Sequence, residues 1–513
     1  MVHLQDQFAN IMDTNLSYAL TQIQIRLKQN TLAPKDPIFT RVYSSIKDCI
    51  LKGDFPLNWN IPSTRQLSGG LQLARTTIIK AYELLMLEKL IISKPGSGYK
   101  VIFNQVQSPP QKPTTSISYP TLSEKGVSFL ENSNLINRTE NSYIAFKPGL
   151  PPIDIFPIKQ WKGLLNTYWK YAKSSDMSMV QSTHSLSLKN QICNFLKISR
   201  GISCTPEQLL VVSGSLQSIY LIANAILNKG DSVVIENPTF PNVHSLFKSS
   251  LANVVPIPID AEGLDLKILE TTQPENLKIL HVTPTNHYPL GTKMGLKRRH
   301  ELLHFASKNN TYIIENDYEH EIGNLTAPLP TLFELDTEDR TIYLGTFNRL
   351  LYPSIRLGFM IVPHHLAAVI EAIQAHSHRI VSHSMQIVMA QFIEKNHLFK
   401  HLKNLQNVTQ ERFEVFTNEF NEQNEHLYLK SANIAGMHLI AKFKQEVSIP
   451  QESKIIHELE SSGISAYPLS SCFIGVTKET GLILGFATMS PVAIKQKLRL
   501  LKKVMVAIFN SSK

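Results

Sequence analysis

After Phe103 the chain runs NQVQSPPQKPTTSISYPTLSEKG, with Pro109, Pro110, Pro113 and Pro120 set among Ser, Thr and Gln. Proline removes backbone donors and short polar side chains supply no core, so residues 104–140 read as a linker without a packed element. Anything that folds must therefore do so separately on either side. The 513 residues are too many for one ordinary core, and 43% hydrophobic with 18% charged is too balanced for disorder, so a folded multi-domain protein is expected. The divisions predicted are an extension over 1–36, a small domain over 37–103, the linker over 104–140 and a large domain over 141–513.

Several classes fall away. Cys49, Cys193, Cys204 and Cys472 form no C-x-x-C pair and no regular spacing, against a zinc site or a secreted disulfide framework. No run of 18 apolar residues occurs, and the first thirty residues carry Gln5, Asp6, Gln7, Asp13 and Asn15 where a signal peptide would be basic and then apolar. No membrane role is expected, and a reducing cytoplasm fits best. The net charge of +10 fits nucleic acid, an anionic ligand or simply a slightly basic solvated surface. Residues 1–103 hold twelve lysines and arginines against seven acids, so about half the excess lies on a fifth of the chain.

That basic region has a readable order. Ile38, Val42, Ile46, Ile50 and Leu51 recur at helical spacing, and Gly53 follows where a helix should stop, near Lys52. Ser63 suits an N-cap for a short helix to about Gly69, a turn at Gly69-Gly70 follows, and Ala74 to Leu87 reads as a second helix. Together they form a helix-turn-helix. Leu90 to Ser93 and Gly98 to Val101 flank Lys94-Pro95-Gly96-Ser97 and predict a hairpin, the wing. Arg75, Thr76, Thr77 and Lys80 then stand at the start of the second helix, placed for base edges in a major groove, with Arg65 and Lys94 placed for phosphates and Ser97 of the wing a further DNA-binding candidate. The runs I-P-S-x-R-x-L, A-R-x-T-I-x-x-A-Y-x-x-L and K-P-G-S-G resemble the GntR-type winged-helix DNA-binding domain over some 65 residues. Within 1–36, Leu16, Ala19, Leu20, Ile23 and Leu27 suggest an amphipathic helix that either packs locally or aids pairing of chains.

Beyond the linker, β-rich runs (LLVVSGS, SVVIENP, LKILHVTP, TYIIEND, TIYLGTF, LGFMIV) alternate with helical stretches, the pattern of an α/β domain on a mostly parallel sheet. Phe146 to Pro151, Val212 to Ser218, the ENPTFP run holding Phe240, Thr283-Pro284 through Gly291, Tyr318, Gly345-Thr346-Phe347 and Arg356-Leu357-Gly358-Phe359 occur in the order of a fold-type I, pyridoxal-phosphate-dependent aminotransferase. Joined to a GntR-type reader, this resembles the MocR subfamily. The resemblance implies a winged helix-turn-helix plus an aminotransferase-like domain, its large subdomain at about 175–380 and its small subdomain built from both flanks. It implies a phosphate cradle at Gly214, Ser215, Thr346 and Arg356, an aromatic stack from Phe240, and further cofactor contacts from Tyr288, Asn316 and Tyr318.

The departures cluster at that same site. The family's G-T-F-S-K run ends in the lysine that bonds the cofactor, whereas this chain reads Gly345-Thr346-Phe347-Asn348-Arg349. Arginine keeps its proton and is no nucleophile, so a covalent aldimine is not expected. Two readings of Arg349 stand: it pairs with a bound anion, or it fills the old pocket through a buried ion pair. The family's acid at the pyridine nitrogen lies two residues before the tyrosine, here Asn316; Asp317 points to the other face unless the strand is shifted. The substrate-carboxylate arginine of R-L-x-F is Ile483, and residues 179–184 lack the Y-x-D-P-x-G run.

The expectation is a bacterial cytoplasmic regulator, nucleoid-associated when bound to double-stranded operator DNA. Its aminotransferase-like domain would form a head-to-tail homodimer and sense a small anionic effector or vitamer, without transaminase activity; pyridoxal phosphate would at most bind non-covalently. The rival is a PLP-dependent aminotransferase fused to a DNA-binding module, for which Lys293 and Lys297 are the nearest substitute lysines. A third reading is an effector-binding repressor whose ligand is no vitamer.

Overall fold

The structure is a computed structural model and describes residues 2–29, 36–94, 98–103, 120–135, 145–174, 183–322, 329–377, 381–430, 436–475 and 479–510. It divides into two compact units, Met1–Pro120 and Thr121–Lys513. Ser97 and residues 179–182 lie outside the described residues.

The first unit orders α1 (Val2–Gln29), α2 (Ile38–Leu51), β1 (Asn60–Ile61), α3 (Thr64–Leu71), α4 (Arg75–Leu87), β2 (Ile91–Lys94) and β3 (Gly98–Val101). Val42, Ile46 and Ile50 of α2, Leu67 of α3 and Ile78, Tyr82 and Leu85 of α4 form its core, and Ala19 and Ile23 of α1 are fully buried within it. Burying each large aliphatic side chain contributes about 1.5–3 kcal/mol, so the N-terminal helix packs locally as part of this domain. Ser63 caps α3 in a capping box with Gln66. Tyr82 donates to the Pro62 carbonyl at 2.7 Å and meets Tyr99 of the wing edge to face.

Two details differ from the sequence reading. The wing has a third strand, β1, which pairs antiparallel with β3 and lacks a signal because it is only two residues long. Gly69 and Gly70 lie inside α3, and the left-handed turn comes at Gln72, with φ 54°. Leu20 of α1 packs over Gly70: a Cβ there would fall 2.4 Å from its methyls, so a larger residue would oblige that side chain to shift.

The second unit holds an eight-stranded sheet in the order β4-β11-β10-β9-β8-β5-β6-β7. Its strands are β4 (Leu209–Val212), β5 (Ser232–Asn237), β6 (Asn253–Asp260), β7 (Gly263–Leu264), β8 (Leu277–Val282), β9 (Tyr312–Asn316), β10 (Thr341–Thr346) and β11 (Gly358–Ile361). β10, β9, β8, β5 and β6 run parallel; β11 is antiparallel to both its neighbours. The start of β11 therefore meets the end of β10, with Thr346 opposite Gly358. A second, antiparallel sheet orders β12 (Leu427–Leu429), β13 (His438–Phe443), β15 (Leu482–Gly485) and β14 (Tyr467–Pro468). Backbone bonds from Ser465 to the Ala145 carbonyl and from Gly485 to that of Phe146 bring the segment after the linker beside this smaller sheet. Among the described residues no helix is long and apolar enough to cross a membrane.

The predicted linker is too long at its C-terminal end. Residues 124–131 form a helix capped by Ser123, and Ser245 donates to the Asn132 carbonyl at 2.9 Å. No proline occurs between residues 121 and 140, so nothing stops this segment from coiling onto the large unit.

Candidate functional site

In the first unit Arg75 and Thr76 open the exposed start of α4, Thr77 follows half-buried, and Arg65, Lys80 and Lys94 are exposed. Arg75 reaches Thr64 Oγ1 at 3.4 Å, and the Lys80 ammonium lies 5.6 Å from the Phe39 ring centroid. No ion pair joins Arg65, Arg75, Lys80 or Lys94 to a described acid, whereas Lys47 and Arg26 are bound to Glu88 and Asp54. The domain's free positive charge thus includes α3, the start of α4 and the wing, an arrangement suited to phosphates and base edges.

In the second unit a cavity of about 460 Å³ opens at the carboxyl ends of the parallel strands, where ligands of α/β sheets bind. Gly214, Ser215, Phe240, Asn316, Tyr318, Thr346, Arg349 and Arg356 all line it. Gly214 is the N-cap of the helix Ser215–Ile226, whose first amides point to an anion site at the positive end of the helix dipole. Arg356, brought alongside by the β10–β11 reversal, is exposed and has no ion pair among the described residues. Asn348 was missed by the sequence reading: its side chain donates to the Ser213 carbonyl at 2.9 Å and accepts from the Leu357 amide at 2.8 Å, tying the two sides of the cradle together.

Tyr288 is a correction. It does not line the cavity; its ring stacks on Phe240 with centroids 3.7 Å apart and planes at 7°. It packs with Ile440, Leu469, Cys472 and Ile483, and this apolar cluster draws it away from the opening. Ile483, which the resemblance sets where the family has its carboxylate arginine, is fully buried within the same cluster.

Arg349 has a protein partner. Its Nη1 lies 2.8 Å from Glu319 Oε1, and its guanidinium stands 5.6 and 5.5 Å from the Phe240 and Tyr318 centroids. The second Glu319 oxygen accepts from the Met437 amide at 3.0 Å. The guanidinium lies against Gly149; a Cβ there would lie 2.2 Å from Nη1 and oblige the arginine to shift. Burial works against its charge, but Glu319 more than compensates and raises its pKa, so the guanidinium stays charged. Of the two sequence readings, the ion pair is present, and 28% side-chain exposure leaves the cation open to the cavity as well. Glu319 follows directly on the D-Y pair, a signal the sequence offered and the reading passed over.

Asn316 and Asp317 point to opposite faces, as strand geometry requires. Asn316 lines the cavity, 3.4 Å from His281 Nε2 on the neighbouring β8, and burial holds His281 down to about 4, hence neutral. Asp317 is fully buried, 2.9 Å from Arg200 and 2.7 Å from the Tyr343 hydroxyl. Burial favours its neutral form, but His320, Arg200 and Tyr343 outweigh this and hold it below the ordinary range. His320 is itself kept neutral by burial, so Arg200 is the charge that persists at neutral pH. Tyr318 keeps its proton, since burial and Glu319 push it well above its usual value, and its hydroxyl is buried without a partner.

No lysine lines the cavity among the described residues. Lys297 is exposed on the helix Leu296–Lys308 beside Glu301, and Lys293 is exposed in the coil before that helix. A phosphate cradle, an aromatic wall and an unpaired Tyr318 hydroxyl suit the phosphate, ring and phenolic oxygen of pyridoxal phosphate. The covalent end does not fit, because Arg349 stands where a lysine is needed.

The sequence profile of aminotransferase class I and II matches residues 157–494, and that of the gntR family of bacterial regulatory proteins matches residues 39–101. The chain thus belongs to the aminotransferase class I and II family and carries a GntR winged helix before it. A kynurenine aminotransferase of Pyrococcus horikoshii shares the fold, with a TM-score of 0.64 and 23% identity over 76% of this chain and 98% of that one. Among full-length relatives, the probable rhizopine catabolism regulatory protein MocR of Rhizobium meliloti is 29% identical over 93% of this chain and 95% of its own. The pyridoxine biosynthesis transcriptional regulator PdxR of Corynebacterium glutamicum is 24% identical over 89% and 94%. The chain thus carries the two-domain order of the GntR regulators of the MocR type that it resembles.

Proposed function

We propose that the chain is a DNA-binding transcription regulator whose aminotransferase-like unit binds pyridoxal phosphate or a related small anion without covalent attachment and without transaminating. The observation that carries this reading is the pairing of Arg349 with Glu319 in a cavity that retains Gly214, Ser215, Thr346 and Arg356. When bound, pyridoxal phosphate supplies an electrophilic aldehyde and an electron-accepting ring. Here the residues hold rather than react. The helix amides, Thr346 and Arg356 would take the phosphate, Phe240 would cover the ring, Asn316 would face the ring nitrogen and Tyr318 would donate to the phenolic oxygen. An amide cannot hold a full positive charge on the ring nitrogen as a carboxylate does, which weakens the electron sink even if a lysine were supplied.

The sequence-predicted DNA face supports operator binding through Arg65, Arg75, Thr76, Thr77, Lys80, Lys94 and Ser97. A head-to-tail homodimer would present two such faces to two half-sites, in a cytoplasmic, nucleoid-associated protein. Spectra and intact mass of the purified protein with added pyridoxal phosphate test the proposal. A saturable spectral change, no added mass after borohydride and intact binding to its own promoter DNA are expected. A borohydride-fixed adduct on any lysine would overturn it. Arg349→Lys should not restore transamination, because Asn316 and Ile483 remain, and substantial turnover by that variant would refute the reading of those two positions.

A further inference from the structure

Cys193 and Cys204, eleven residues apart in sequence, place their sulfurs 3.3 Å from each other. Cys193 lies in the helix Thr183–Arg200, and Cys204 in the coil that runs from that helix into β4. Both are half-buried thiols, whereas Cys49 and Cys472 are buried. A disulfide has its sulfurs about 2.05 Å apart, so closure needs a movement of little more than 1 Å, on the side supplied by coil. Among the described residues no group of three or more His, Cys, Asp or Glu could hold a metal ion, which leaves thiol chemistry as what the pair can do.

We propose that Cys193 and Cys204 are a reversible redox site that closes to an intrachain disulfide when the protein meets a peroxide. The Cys204 thiol donates to Cys193 and favours its thiolate; burial and Glu207 oppose this, and Lys189 one helical turn away adds a smaller favourable effect, the net direction being downward. The Cys193 thiolate attacks the peroxide oxygen; the S–O bond forms, the O–O bond breaks, and the leaving hydroxide takes a proton to become water. Cys204 then attacks the Cys193 sulfur; the S–S bond forms, the S–O bond breaks, and a second water leaves with the Cys204 proton. The pair loses two electrons and the peroxide gains them. Closure staples the helix end to the coil leading into β4, after which come Ser213 and the anion cradle.

The test uses the reduced, full-length chain treated with hydrogen peroxide at one to ten equivalents. Expected are the loss of two of its four alkylatable thiols, an intact-mass decrease of about 2 Da reversed by dithiothreitol, and a single cross-linked peptide joining Cys193 to Cys204. Cys204→Ser should leave Cys193 as a dimedone-reactive sulfenic acid about 16 Da heavier, and Cys193→Ser should abolish the mass loss. Should either variant fail to fold, the wild-type peptide map decides alone. Retention of all four thiols, over-oxidation of Cys193 without a cross-link, or a bridge through Cys49 or Cys472 would overturn the proposal.

Discussion

Replacing Asp317 with Asn separates a structural role from a catalytic one. The Asp317 and Arg200 side chains are 0% and 2% exposed and 2.9 Å apart. Asn keeps an acceptor for the Tyr343 hydroxyl but removes the charge facing a guanidinium that cannot shed its proton. Leaving one member of a buried pair uncompensated costs about 3–5 kcal/mol. A unit of about 390 residues unfolds with an entropy of about 0.8 kcal/mol/K, so Tm should fall by about 4–6 °C. Differential scanning fluorimetry at one fixed scan rate reads this directly. Adding Arg200→Met should recover part of the loss, since the orphaned cation is then gone. Because the folded pKa of Asp317 is depressed, its contribution is present above the unfolded value near about 4 and is lost as pH falls below it, so wild type and variant should converge in strong acid. Pyridoxal phosphate affinity should change little. A variant of unchanged Tm with affinity weakened tenfold would refute the reasoning and show Asp317 facing the ring.

Arg356→Ala should weaken both pyridoxal phosphate and inorganic phosphate by about 10- to 100-fold in calorimetric titration, the worth of a charge-assisted contact; unchanged affinity for both would place the anion elsewhere. Arg75→Ala should cost about 1–3 kcal/mol of operator binding, read by fluorescence anisotropy, and Lys94→Ala should lower the salt slope by about one; equal affinity and slope in both variants would remove the DNA face from α4 and the wing. Burial holds His281 and His320 down to about 4 and His287 to about 3. The unfolded chain takes up their protons first, so these three groups withdraw stability as pH falls below about 6.5, whereas burial raises Glu236 and Glu315 to about 7 and Glu321 to about 8 and so adds stability as pH falls through the same range.

Much of the architecture was legible because its causes are local. Capping at Ser63, the apolar spacing of α2 and α4, and the alternation of strands and helices act over a turn or a strand, so they appear in consecutive residues. The Asn316 and Arg349 departures were legible for another reason: they are single residues within ordered motifs, and strand period alone put Asp317 on the opposite face. The linker's C-terminal end was misread because the helix over 124–131 is held by docking on a distant helix, with little propensity signal of its own.

The sequence by itself determined two units, a DNA-reading order in the first, an aminotransferase scaffold in the second, and the absence of a lysine at position 349. It left open what Arg349 does, because its partner Glu319 lies thirty residues away and meets it only where the loops after β9 and β10 converge. Tertiary structure alone moved Tyr288 behind Phe240, set Gly70 under Leu20, and brought Cys193 to Cys204. Side-chain identity and spacing set which local structures form, but ion pairs, stacks and thiol contacts depend on distances that only the packed chain defines.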